Sequence, residues 1–126
     1  MPKPRERVAA HEFSVTTSKH EADIRAAGER AIIAGKRTLS NTISVAGQSA
    51  NRIDYVIKGP GNIITQMAFS VRWTADGDPR EVTLTVGDFM TGQQRIFLIP
   101  VAPKSIPALT SLQRFSAELR TQLSNN

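Results

Sequence analysis

Between Ile63 and Trp73 two rows of side chains alternate without a break. Ile63, Thr65, Met67, Phe69, Val71 and Trp73 form one row, and Ile64, Gln66, Ala68, Ser70 and Arg72 form the other. A strand sends successive side chains to opposite faces, so the pattern predicts a long strand with one buried face and one mostly wet face. Such a strand needs a cover for its apolar side. The cover is at the far end of the chain, where Leu109, Leu112, Phe115, Ser116, Leu119 and Leu123 recur at helical spacing. Together they predict a one-sided sheet with a helix laid on it, and they prescribe no reaction.

The remaining segments supply the rest of the sheet. Residues 1–10 hold two prolines, alternating charges and small apolar residues, which predicts a flexible N-terminal arm. Residues 11–126 read as a single domain. Phe13, Val15 and Thr17 alternate with polar neighbours as a first strand. Ser18 and Glu21 have the spacing of a capping box for a helix running to about Ala34, which Gly35 stops. Ile24, Ala27, Gly28 and Ala31 give that helix a narrow face of small residues. Leu39, Ile43 and Val45 mark a second strand, and Ile53, Tyr55 and Ile57 a third. Turn-forming residues follow at 59–62 and 75–79, then a strand with Val82, Leu84 and Val86 inward, and a sixth from Gln94 to Ile99. The last helix starts at Pro107 or at the second capping-box spacing, Thr110 to Gln113. The expected fold is α+β: a curved antiparallel sheet of about six strands, one helix after the first strand and a long C-terminal helix against the sheet.

Element order over residues 11–123, with Leu109 to Leu123 as the gripped helix, resembles a trimmed helix-grip fold of the START and Bet v 1-like superfamily. There a curved antiparallel sheet wraps a long C-terminal helix. No signature motif carries the resemblance. It implies a binding fold, an apolar ligand between sheet and helix, and no catalytic residue. Such domains usually have two short helices after the first strand, where one is expected here, and they are commonly longer, so any cavity here is expected to be smaller.

Composition restricts the chemistry. The chain has no cysteine, which excludes disulfides, thiolate metal sites and a cysteine nucleophile, and fits a reducing, cytoplasmic setting. No apolar run reaches the ~20 residues that cross a bilayer, and no h-region follows the basic start. His11 and His20 are separated by a strand and a helix cap, so no metal site and no cofactor is expected. Asp76 and Asp78 flank Gly77 in a turn, where aspartate bonds its own backbone. No nucleotide-binding or nucleophile-elbow motif is present.

Three function classes remain, in this order. The first is a non-enzymatic domain binding an apolar small molecule or a partner protein. Small residues at Ala27, Gly28, Ala31, Ala68 and Gly87 either let helix and sheet pack closely or leave a pocket under the C-terminal helix, for which Tyr55, Thr65 and Arg95 are the candidate polar anchors. Ile96, Phe97, Leu98 and Ile99 are apolar on both faces, and Val56 and Ile64 fall on the outer face. An antiparallel sheet covered on one side has no use for that, so Val56, Ile64, Phe97 and Leu98 are interface candidates, covered by a homodimer partner, the N-terminal arm or another protein, unless the strand lies under both helices or a bulge changes its parity. The second class is a nucleic-acid-associated protein. The net charge is +5, and Arg52, Lys58, Arg72, Arg80 and Arg95 would form an outer basic stripe. The third is a hydrolase or cyclase-like enzyme in the cavity between sheet and helix.

Overall fold

The computed structural model describes residues 3–35, 41–59, 64–74, 79–90, 95–96, 99–100, 106 and 108–124. The elements are α1 (Pro4–Ala9), β1 (Phe13–Thr17), α2 (Glu21–Gly35), β2 (Thr42–Ser49), β3 (Arg52–Lys58), β4 (Thr65–Trp73), β5 (Arg80–Phe89), β6 (Arg95–Ile96), β7 (Ile99–Pro100) and α3 (Leu109–Ser124). Strands β1 to β5 make one open antiparallel sheet in the order β1-β5-β4-β3-β2. Among the described residues the main sheet has five strands, where about six were expected. In the region of the expected sixth strand, Arg95 pairs with Pro100 and Ile96 with Ile99 in a separate two-stranded ladder. Pro100 has no N–H with which to extend that ladder. Phe97 and Leu98 lie outside the described residues.

The inward rows read from sequence are the rows that bury. Ile53, Tyr55 and Ile57 on β3, Met67, Phe69, Val71 and Trp73 on β4, and Val82, Leu84 and Val86 on β5 are all buried. Above them lie Ile24, Ala27, Gly28, Ala31 and Ile32 of α2 and Leu112, Phe115, Leu119 and Leu123 of α3. Each large apolar side chain moved out of water contributes roughly 1.5–3 kcal/mol. At the centre, Tyr55 stacks on Phe69 with ring centroids 5.2 Å apart, and Phe115 of α3 meets both edge-on at 4.9 and 4.8 Å. Arg25 of α2 lies over the ring of Trp73 at 5.1 Å and bonds Glu21 one turn away at 2.9 Å.

The N-terminal segment differs from the expected arm. Pro4–Ala9 is a short helix, with Pro4 in its first turn and the Glu6 carboxylate accepting from the Lys3 amide. Val8 is fully buried. The reason is a gap in the sheet. β1 begins at Phe13, opposite Leu84, so Val86 extends past the end of its neighbour. Glu12 accepts the Val86 N–H at 2.6 Å, and Arg5 donates to the Val86 carbonyl at 3.0 Å. Two side chains thus satisfy the backbone groups that a longer β1 would have paired. Ser116 of α3 holds the same segment by donating to the His11 carbonyl at 2.7 Å.

Three bulges interrupt the ladders. β2 carries an extra residue at Ala46, β4 one at Gln66, and β5 one at Gly87–Asp88. The Gln66 bulge resets the alternation of β4, so Thr65, expected on the inward row, is exposed.

Tyr55 fits because residue 28 is glycine: a Cβ there would overlap the phenol oxygen. Gly28→Ala therefore sets two effects against each other. Helix propensity favours alanine by about 1 kcal/mol. Overpacking against a ring clamped by two others costs about 1–3 kcal/mol. Net destabilisation is expected in denaturant unfolding, with partial recovery in Gly28→Ala/Tyr55→Phe, where the obstructing oxygen is gone. A Gly28→Ala chain more stable than the parent would contradict the packing.

Candidate functional site

Of the three expected ligand anchors, Tyr55 and Thr65 are placed apart. Tyr55 is buried in the aromatic cluster. Thr65 is exposed at the start of β4, opposite Lys58. Arg95 belongs to the separate β6–β7 ladder, and its side chain is outside the described residues. The space between sheet and helices where a ligand would sit is occupied by Tyr55, Phe69 and Phe115. Burial pushes the Tyr55 phenol well above its ordinary range, the Glu29 charge adds to this, and Arg25 opposes it.

The opposite face of the sheet presents Arg52, Asp54 and Val56 of β3 beside Ala68, Ser70 and Arg72 of β4. A shallow hollow of about 250 Å³ lies here, floored by Val56 and Ala68 and walled by Ala46, Asp54, Ser70 and Asp88. Its cause is local: small residues meet across the strands, and the β2 and β5 bulges raise the flanks. Asp54 anchors one wall. Ser70 donates to its carboxylate at 2.6 Å and Arg52 at 2.6 Å. The Ser70 bond first and the Arg52 bond second hold the Asp54 carboxyl below its usual range, partial burial opposing them. Of the expected interface residues, Val56 is half-buried on this face and Ile64 is 57% exposed.

The basic stripe expected on this face is broken. Arg52 is paired with Asp54. Arg80 shares the inward parity of Val82, and its Nε and Nη1 are buried without a hydrogen-bond partner. It stands opposite Thr17, which donates to the Leu123 carbonyl in the last turn of α3, the negative end of that helix dipole. Arg72 is exposed.

Sequence reasoning missed a second hollow, a groove of about 690 Å³ between α2 and α3 lined by Arg30, Ile33, Ala34, Arg114, Ala117 and Glu118. The signal was available: Ile33 is off the face defined by Ile24, Ala27, Gly28 and Ala31, and it is 69% exposed.

Among the described residues no group of three or more His, Asp or Glu gathers to hold a metal. None of the described helices is long and apolar enough to cross a membrane. No protein-family model, curated protein or solved structure matches the chain.

Two titrations follow. Asp54 has a folded pKa below its unfolded one, so its contribution to stability is present above about pH 4 and is lost as pH falls through the folded value. Ser70→Ala should move the Asp54 carboxyl titration, followed by NMR, up towards the ordinary value; an unmoved curve would contradict the Ser70 bond. Tyr55 is the single tyrosine. Its raised folded pKa keeps the phenol proton bound where the unfolded chain releases it, so stability should fall as pH rises past about 10. The tyrosinate absorbance band should therefore emerge with unfolding and not before it.

Proposed function

We propose that this chain is a non-enzymatic protein-binding module on a trimmed helix-grip scaffold, and that the open face of its sheet is the binding surface. The scaffold reading is supported by strand order: the first and last strands of the main sheet pair, and a helix follows the first strand. The observation that carries the function is the filled interior. With Tyr55, Phe69 and Phe115 in mutual contact between sheet and helices, a partner is better served at the surface than an apolar small molecule is inside. The open face offers the half-buried Val56 and Ala68 at the base of a hollow, with fixed polar groups around them.

A second copy of the chain is the occupant the charges favour. The face carries exposed Arg72 and Glu81 and the free end of Asp88, so a two-fold arrangement matches opposite signs. A phosphate backbone would meet those carboxylates as well as the arginines. The absence of cysteine suits a cytoplasmic setting for such a module.

Light scattering and native mass spectrometry on freshly purified full-length chain test the reading. The expected result is a doubled mass that Ala68→Arg returns to the monomer without lowering the unfolding midpoint. A bare monomer, a co-purifying small molecule on a monomer, or a dimer indifferent to Ala68→Arg would each overturn it.

A further inference from the structure

The groove between α2 and α3 is on the other side of the molecule from the hollow in the sheet, and it has a different chemistry. The two helices are tied across it by Gln122, whose side chain accepts from Arg30 at 3.1 Å and donates to Glu118 at 2.9 Å. That arrangement decides the charge of the groove. Arg114 and Glu118 are one turn apart on α3, the spacing at which an ion pair forms on a helix. No such pair is made, because the Glu118 carboxylate is turned to Gln122. Arg30 is bound to a neutral amide, which leaves its charge uncompensated. The groove thus presents two guanidinium groups, one carboxylate already engaged, and an apolar floor of Ile33, Ala34 and Ala117.

We propose that this groove docks an acidic, amphipathic peptide segment of a partner protein. An apolar side chain of the segment sits over Ile33 and Ala117, and carboxylates on either side of it meet Arg30 and Arg114. Each part of the surface argues for that occupant over another. Ile33, 69% exposed beside Ala34 and Ala117, offers an apolar side chain a seat, and a nucleic-acid backbone has nothing to place on it. A second copy of this chain would bring its own Arg30 and Arg114 against these two. Carboxylates of an acidic segment are attracted instead, and helix-lined grooves of this kind take peptides through spaced apolar anchors.

The proposal is independent of the open sheet face, and the test keeps them apart. The probe is a short fluorescein-labelled peptide of glutamate with leucine at helical spacing, added to the full chain and followed by anisotropy. Controls are the same peptide with lysine for glutamate, a leucine-free glutamate peptide, and a labelled oligothymidylate. Saturable binding of the glutamate–leucine peptide alone is expected. Arg114→Glu and Ile33→Asp, both at exposed positions, should each weaken it about tenfold or more with an unchanged unfolding midpoint. Ala68→Arg should leave it unaltered. No saturable binding, equal or tighter binding of any control, or binding indifferent to both groove variants would overturn the proposal.

Discussion

The contact among Tyr55, Phe69 and Phe115 joins the parts of the molecule that no local preference would bring together. Tyr55 and Phe69 face each other across neighbouring strands, and Phe115 comes from a helix more than forty residues later. Offset and edge-on rings add about 0.5–1.5 kcal/mol per pair beyond the area they bury. The geometry matters as much as the energy. The stacked pair fixes β3 against β4, the edge-on ring sets α3 over both, and Gly28 lets α2 approach closely enough to close the same space. The absence of one methyl group on α2 and the presence of three rings elsewhere are a single packing solution.

The main-sheet strands and the two long helices can be read from the sequence, because alternation and helical spacing are local properties. Met67, Phe69, Val71 and Trp73 bury as their row demands, and Leu112 to Leu123 cover them. What escapes is what depends on distant partners. The bulge at Gln66 exposes Thr65, yet nothing around Thr65 announces an unpaired residue in a ladder with β3. Arg80 is a different case: two residues before the inward Val82, it belongs to the inward row by local alternation alone, not with the outer cations. Pro4–Ala9 reads as a tail, since its reason for folding is the unpaired backbone at Val86, more than seventy residues away. Tyr55 and Thr65 suit anchoring by their chemistry, and chemistry carries no information on whether two residues meet.

Surface chemistry follows from the same architecture. A sheet covered on one side leaves its other face to be settled by small side chains and by bulges, which here concentrate at Ala46, Ala68 and Gly87–Asp88. Two helices lying side by side leave a furrow whose character depends on which polar groups bond to each other first. In this chain Gln122 takes both Arg30 and Glu118, so the electrostatics of the furrow are decided by an uncharged residue.

Trp73 is the one indole in the chain, buried at the end of β4 with the Arg25 guanidinium over its ring. Arg25 reaches it from α2 while donating to the carbonyls of Ser49, the last residue of β2, and Ala50 just after it. The optical signal of the protein is therefore built into the junction between its first long helix and its sheet. Emission colour and intensity register the seating of α2 directly, and the order in which helix and sheet come together during refolding is readable without attaching a dye.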